Sequence, residues 1–484
     1  MLVRPAFAAL GVLAATTMSA GRARAQVPQS EYAARRAAVA AKMADGVLVA
    51  IGAREPSQDY LSFDQTPSFY YLTGFKEPDA ALVMVKKKAD VQATLFVLPR
   101  QPSREVWTGA RYGTDGATKL TGLPARVTDQ LRPTLDSLLR SEPTLYVVAD
   151  MGEKDGPLTV DAQFIQGLTA ATKTKVIELG DVVQQLRGNK SPAELALIRK
   201  ADSVTVSAQL EAMRAIHPGM NEYEVQALIE YTFRRNGADR PSFSTIVGSG
   251  PNSTTLHYNA DDRVMNAGEV VVMDIGASYA GYAADVTRTV PVSGSFTPEQ
   301  RAIYQLVRDA QASAERNAKP GTAARVMMDS AARTLAAGLA KLGLIEAAEA
   351  TFDGAPEDCG KESCQMPQYF LYYMHGLSHG IGLEVHDPDQ FYVTGKLEIG
   401  SAFTIEPGVY VRAALLEGLA DTPRNRALIA HIRPAVQKYK NIGVRIEDDY
   451  AITSAGLEWL SKAPRELNEV EAAMKKTPEP LRPD

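Results

Sequence analysis

Several things are scarce in this 484-residue chain, and each scarcity excludes something. There are two cysteines, Cys359 and Cys364, within DCGKESC. Their spacing and lack of partners do not fit a zinc site. In an exported protein such a local pair can close a small disulfide loop; otherwise it stays as two thiols. Basic residues are not in excess, since the net charge is −5. That balance argues against nucleic acid as a partner. No repeat or low-complexity stretch is visible. With 45% hydrophobic and 23% charged residues the composition is globular rather than disordered or fibrous. Past residue 25, no run reaches the ~20 apolar residues that a membrane-spanning helix needs.

The first 25 residues, MLVRPAFAALGVLAATTMSAGRARA, are different. Arg4 gives a charged start, Ala6–Ala20 is small and apolar, and Ala23-x-Ala25 offers a small-residue cleavage site. This is the pattern of a secretory signal peptide cut after Ala25. A short membrane anchor is the competing reading, and the run is short for a span. Cleavage would remove Arg4, Arg22 and Arg24 and no acid, taking the net charge from −5 to −8. The expected destination is periplasmic or secreted, with no membrane contact once the leader is gone.

At ~100–200 residues per domain, two or three domains are expected. SEYAARRAAVAAKM reads as a helix. GVLVAIGA, SFYYLTGF, AALVMVKK, ATLFVLPR and TLYVVAD read as strands rich in β-branched and aromatic residues, with helical pattern at Leu131–Arg140. This alternation predicts an α/β domain over residues 26–187. Ser191, Pro192 and Glu194 then form a capping-box signature that opens a helix. The second domain is expected over 188–470, with a frayed tail at 471–484. Its helices are expected at Pro192–Ile216, Glu222–Asn236, Pro298–Asn317 and Ala323–Leu342. Its strand blocks are expected at Glu269–Ala277, Gly281–Val292, Ala402–Val411 and Asn441–Thr453.

Histidine is also scarce. Of six in the chain, three fall inside MHGLSHGIGLEVHD, at His375, His379 and His386. The H-E-x-x-H pattern is missing, and Gly376, Gly380 and Gly382 disfavour a helix, so the segment reads as strand and loop carrying histidines into a cleft. Acids elsewhere decide what those histidines do. In EVVVMDIGASYAGYAADVTRTV, two apolar runs flank a turn, and Asp274 and Asp285 lie symmetrically about Tyr279–Ala280. In a regular hairpin of that register they face each other, with Cβ atoms ~4.5–5.5 Å apart. Two like charges at that distance repel, so a cation between them or a proton on one of them is needed. The alternative is two solvent-facing strand residues. Glu406 follows an apolar strand in AFTIEPGVYV. Glu447 sits in NIGVRIEDDYAI, where Arg445, two residues earlier, shares its face. Two aspartates, two glutamates and one imidazole form a hard donor set that suits Mn(II), and less selectively Co(II), Fe(II) or Zn(II). Two ions could hold a water or hydroxide between them as a nucleophile.

MDIGASYAGYAADVTRT, HGLSHGIGLEVHD, IEPGVY and GVRIEDD, in that order, resemble the pita-bread metallopeptidases, most closely the aminopeptidase P branch. SFYYLTGFKEPDAALVMV and REVWTGARYG are similar to that branch's N-terminal domain. The resemblance implies an α/β N-terminal domain followed by an α+β pita-bread (creatinase/aminopeptidase) catalytic domain. It implies two divalent ions, Mn(II) foremost, on Asp274, Asp285, His379, Glu406 and Glu447, with Asp285 and Glu447 bridging. It places His257 and His386 at the reacting carbonyl and Glu406 as the proton acceptor. It gives His375 to the residue after the cut, and Arg445 to orienting a ligand carboxylate. Peptides with proline in second position, and a homo-oligomer (dimer or tetramer), are the implied partners. In that family, a tryptophan such as Trp107 can reach a neighbouring subunit's cleft. A prolidase confined to Xaa-Pro dipeptides and a catalytically dead binding module are the rival readings.

Two segments depart from the family pattern: TFDGAPEDCGKESCQMPQ and RAALLEGLADTPRNRALIAHIRPAVQK. They read as insertions near the cleft. Gly248-x-Gly250 reads as a turn and His217 as a helix-end residue. His431 is expected to be exposed, and Lys86–Lys88 a solvated edge run.

Overall fold

The β-branched runs after residue 45 form one mixed sheet. The protein is seen here in a computed structural model that describes residues 26–477, apart from 59, 154, 171–173, 356–358, 361–363 and 389–394. The leader-like segment lies outside the described residues. Strands β1 (Gly46–Ile51), β2 (Ala81–Lys87), β3 (Asp90–Val97), β4 (Ala125–Val127), β5 (Thr144–Val148) and β6 (Lys175–Glu178) are ordered β4-β3-β2-β1-β5-β6. β2 pairs antiparallel with β1 and β3, and the other pairs are parallel. β1 is buried along its length, which is why it reads as an unbroken apolar run.

Two expectations fail in this half. SFYYLTGF is not a strand: Pro67–Thr73 is a helix that starts on Pro67 and ends on Gly74 at φ 68°. Those start and stop signals outweigh its aromatic content, and seven residues are too few for helical periodicity to show. Lys87 and Lys88 are exposed as expected, but Lys86–Lys88 is not an edge run. β2 is an inner strand, and Lys86 Nζ donates to the carbonyls of Ala40 and Met43 at 2.8 and 2.6 Å, satisfying the end of helix Gln29–Ala41.

Helix Pro192–Ala215 opens the second half with the expected capping box: Ser191 Oγ accepts from the Glu194 N–H, and Glu194 Oε2 accepts from the Ser191 N–H. Helices Glu222–Arg235, Pro298–Asn317 and Arg325–Lys341 lie within a residue or two of their expected bounds. Between them run β7 (Arg240–Pro241), β8 (Ile246–Ser249), β9 (Val270–Ile275), β10 (Ala277–Tyr279), β11 (Tyr282–Ala283) and β12 (Val286–Pro291). Next come the hairpin β13 (Thr351–Asp353) and β14 (Gln365–Pro367), β15 (Ala402–Ile405), β16 (Gly408–Val411), β17 (Ile442–Arg445), β18 (Asp448–Thr453) and β19 (Gly456–Trp459). Helix Leu467–Met474 crosses the expected start of the tail and buries Val470 and Ala473.

Each expected strand block is in fact two strands that change sheets. β9 lies in sheet β12-β9-β8 and β10 in β11-β10-β7; β15 lies in β15-β18-β19 and β16 in β16-β17. The breaks fall at Gly276, at Ala284–Asp285, at Glu406–Pro407 and at Ile446–Glu447, so three of the four candidate acids sit in breaks. The hairpin register is also two residues from expectation. Its turn is Ala280–Gly281, both at positive φ, and Asp274 pairs with Thr287 rather than Asp285. A two-residue shift keeps both aspartates on one face, as diagonal neighbours.

The two departing segments pack on each other. The β13–β14 hairpin carries a disulfide between Cys359 and Cys364, with Cα atoms 5.5 Å apart. Buried Asn425 in helix Pro423–Tyr439 donates to the Asp353 carbonyl at 2.9 Å. One hydrophobic cluster joins the halves, running from Val39, Phe69 and Leu82 to Leu195, Tyr282, Ile381 and Leu383. Arg35 reinforces it with a 3.0 Å ion pair to the capping residue Glu194.

At Gly276 an added Cβ would stand 1.9 Å from the Ala284 carbonyl oxygen and 2.3 Å from Ser242 Oγ. Gly276→Ala is therefore expected to cost at least about 1–3 kcal/mol and to lower the thermal midpoint. Gly180→Ala, with nothing within 4 Å, is the control and should leave the midpoint near wild type. Equal midpoints for the two variants would contradict this account of the strand break.

Candidate metal centre

The strand breaks turn their side chains into one cavity of about 510 Å³. It is lined by His257, Asp274, Asp285, His375, His379, His386, Glu406, Arg445 and Glu447, among others. Every candidate site residue is thus on one wall or another of a single space. Among the described residues neither departing segment contributes to it.

Backbone bonds set the spacing. The Glu447 N–H donates to the Thr287 carbonyl at 3.1 Å, and the Arg445 N–H to Thr289 Oγ1 at 3.1 Å. Fully buried Arg288 donates to the Glu447 carbonyl at 2.7 Å and to Asp448 Oδ1 at 2.6 Å. These contacts bring Glu447 beside Asp285. On the other side the Thr404 N–H donates to the His379 carbonyl, and Gly380 bridges Phe403. The histidine segment has no helix and only that bridge, consistent with its glycines.

His379 Nε2 lies 3.5 Å from Asp285 Oδ2, 3.4 Å from Glu406 Oε1 and 3.9 Å from Glu447 Oε1. Its Nδ1 sits 3.0 Å from the Gly380 carbonyl, which fixes the ring hydrogen there. Nε2 then turns a lone pair toward three carboxyl groups, an arrangement that holds only with a cation or protons among them. A backbone carbonyl taking the far ring hydrogen is the usual partner of a metal-binding histidine. Asp285, His379 and Glu447, all buried, each offer a donor atom within 4.8 Å of the others. Asp274 Oδ1 and Asp285 Oδ1 are buried with no hydrogen-bond partner. Orphaned carboxylate oxygens aimed into a cavity fit a divalent ion.

Burial is the main cause of the protonation shifts, and the neighbouring acids add to it. Asp285 and Glu447 are both raised well above the carboxylate range, and Glu406 is pushed up to about 8. His375 moves the other way, down to about 3, through burial and the Arg445 charge. It is neutral: its Nδ1 lies 2.8 Å from the Gly376 carbonyl and its Nε2 2.9 Å from the Tyr410 hydroxyl. Arg445 donates to that hydroxyl at 3.0 Å, to Thr287 Oγ1 at 3.1 Å, and closely to Asp274 Oδ2. It thus anchors Asp274. Glu447 is held instead by Thr287 Oγ1 at 2.7 Å. His257 and His386 line the cavity from exposed positions, and the His386 ring centroid is 4.1 Å from that of His379. Trp107 is 77% exposed.

Sequence reasoning missed Thr287, Tyr410, Asp449 and Asp202. Thr287, two positions after Asp285, was findable by strand alternation. Asp449 Oδ2 accepts from the Asp285 N–H at 2.8 Å, and Asp202, wholly buried on a helix, stands against Asp449. Burial pushes Asp202 up to about 7. No local pattern marks a helical acid for such a place.

Comparison with known proteins places this geometry among relatives. Residues 196–454 match the model of metallopeptidase family M24, and residues 32–146 that of the aminopeptidase P N-terminal domain. The chain is 32% identical over 458 residues to the Xaa-Pro aminopeptidase of Haemophilus influenzae, covering 93% of this chain and 98% of the relative. It is 33% identical over 470 residues to the Xaa-Pro aminopeptidase of Escherichia coli, covering 93% and 99%. The low-pH form of aminopeptidase P from E. coli superposes with a TM-score of 0.78 at 31% identity, covering 93% of this chain and 98% of that one. Proline aminopeptidase P II from Yersinia pestis gives the same score and identity, covering 93% and 99%.

The raised carboxyls predict a pH dependence. In metal-free protein the folded chain keeps protons that the unfolded chain gives up. The associated stability is complete below about 4.5, the ordinary value for glutamate, and is lost as pH rises to about 8, where Glu406 ionises. The thermal midpoint of chelator-treated protein should therefore fall across that window, less steeply in Glu406→Gln, and excess Mn(II) should remove the fall. A chelated midpoint that is no steeper in wild type than in Glu406→Gln would count against the crowded-acid account.

Proposed function

The chain belongs to metallopeptidase family M24, carried behind an aminopeptidase P N-terminal domain, and on that premise we propose that it is a metal-dependent aminopeptidase that removes the N-terminal residue from peptides with proline second. The observation that carries this reading is the convergence of Asp274, Asp285, His379, Glu406 and Glu447 on one cavity, in a chain whose relatives are Xaa-Pro aminopeptidases over nearly their full length. None of the five is missing, so nothing favours a dead binding module.

Those five side chains would hold the ions, Asp285 and Glu447 being shared. The hard donor set favours Mn(II). Bound divalent ions supply Lewis acidity, which acidifies water and polarises a peptide carbonyl. The chain's own residues do the rest. Glu406, which lines the cavity beside His379, accepts the proton released as water adds to the carbonyl. His386 and His257, on the accessible side of the cavity, donate to the oxygen that gains charge. Neutral His375, fixed by Tyr410, presents its ring to the residue after the cut. Arg445 donates directly to Asp274 and keeps it in place, its other Nη donating to the same Tyr410 hydroxyl. Proline brings no N–H to the bond that breaks, so a site that does not grip one loses nothing.

The same reading takes the enzyme as exported, periplasmic or secreted, with its leader removed and no membrane attachment, and as a dimer or tetramer. Its leader pattern supports the first point. Among the described residues no helix is long and apolar enough to cross a membrane.

Manganese-loaded wild type should cleave Arg-Pro-Pro far faster than the dipeptide Gly-Pro; cleavage of the dipeptide alone would make it a prolidase. Asp285→Ala should lose bound metal by elemental analysis and retain less than about a thousandth of kcat/KM. Full metal content with full activity in that variant would refute the ligand assignment.

A further inference from the structure

His257 reaches the catalytic cavity from the connection between β8 and β9, which contains no strand. A 3-10 turn covers Gly250–Thr254, and one isolated bridge joins Val264 to Asn221. Side chains rather than a ladder therefore set its shape. Glu222, the first residue of helix Glu222–Arg235, is wholly buried beside it. Its carboxylate collects donors from both sides of His257. Oε1 accepts from the Ser249 N–H at 2.6 Å and the Ser249 hydroxyl at 2.7 Å. Oε2 accepts from the Tyr258 hydroxyl and the Arg263 N–H, each at 3.0 Å. The Glu222 N–H in turn donates to the Arg263 carbonyl at 3.0 Å. The opposite flank is tied to the segment of β17. There the Gly443 N–H donates to Ser253 Oγ at 2.9 Å, and Arg445 to the Leu256 carbonyl at 3.4 Å.

We infer that Glu222 is a positioning residue for the reaction: by gathering Ser249, Tyr258 and Arg263 onto one carboxylate, it holds His257 at the reacting carbonyl. The inference rests on the role given to His257 above. Glu222 does not line the cavity, so it acts only through the stretch it ties. Its own helix does not need that carboxylate. Asn221 and Glu224 already close the capping box, and the partners of the Glu222 oxygens all lie outside the helix. Two of those partners are backbone N–H groups, one on each oxygen, and an N–H cannot turn round to accept. The position therefore calls for a side chain that only accepts, which a carboxylate does and an amide does not. Glutamine would set its NH2 against the N–H of either Ser249 or Arg263. A buried N–H left without an acceptor is costly, so the backbone there would shift. His257 lies between the tied residues and next to Tyr258, so the shift passes to its ring.

In manganese-loaded enzyme cleaving Ala-Pro-Ala, Glu222→Gln should lower kcat about tenfold. Tyr258→Phe cuts one tie, leaves Glu222 in place, and should lower kcat about fivefold. In both variants KM and bound metal should match wild type, because the lost contact belongs to the transition state. On a His257→Ala background, itself slower than wild type, neither substitution should lower kcat further, since the ring they position is gone. Equal losses with and without His257 would overturn the inference, as a general loosening of the fold does not need that ring. Wild-type kcat in both variants, or loss of metal from either, would overturn it too. Should Glu222→Gln fail to fold, Tyr258→Phe decides by the same comparison. Wild-type kcat in His257→Ala alone would refute the role of His257, and this inference with it.

Discussion

Carboxylates crowd one imidazole nitrogen at the bottom of this cavity, and the rest of the catalytic half is arranged around that crowding. Asp285 and Glu447 offer oxygens within 4.8 Å of each other. Two full charges at that separation repel by roughly 3–4 kcal/mol even at the effective dielectric of a protein near 20. Glu406 and Asp274 add to it. In the bare chain, protons relieve the strain, which is why these acids hold them so strongly. A divalent cation relieves it better, because it satisfies several oxygens and the lone pair of His379 at once. The site is thus a set of residues whose mutual cost is repaid only by what it binds.

The backbone is built to impose that cost. Long extended segments break and change sheets at one level of the fold, and three of the four acids sit at the breaks. Gly276 is needed there because the Ala284 carbonyl passes where a side chain would be. Arg288 and Arg445 act as fixed pins: one sews β12 to the Glu447 segment, and the other ties Asp274 to Tyr410 and Thr287. With the N-terminal half packed against Tyr282 and Leu383 in a shared core, the hairpin and the histidine segment are braced from behind.

Much of the site was legible because its residues are marked locally. Asp274, Asp285, Glu406 and Glu447 stand out as acids in apolar strands, and His375, His379 and His386 as half of a scarce residue. The cavity brings all of them together. What was not legible depended on register and tertiary contact. Strand alternation placed the two aspartates on one face, but the turn chemistry of Ala280–Gly281, not composition, sets which residue opposes which. Pro67–Thr73 was misread because burial on several sides gives a short helix the composition of a strand. Lys86 looked solvated because the helix end it caps lies 43 residues away in sequence. Asp202 is invisible for the same reason: nothing near it in the chain announces Asp449.

The central claim is that the acids hold protons in the bare chain and exchange them for cations. Calorimetric titration of chelator-treated protein with Mn(II) near pH 7, in two buffers of different ionisation enthalpy, measures both halves of that exchange. The account predicts saturable binding of two ions per chain with a net release of one or more protons. Absent binding, or binding that moves no protons, would contradict it.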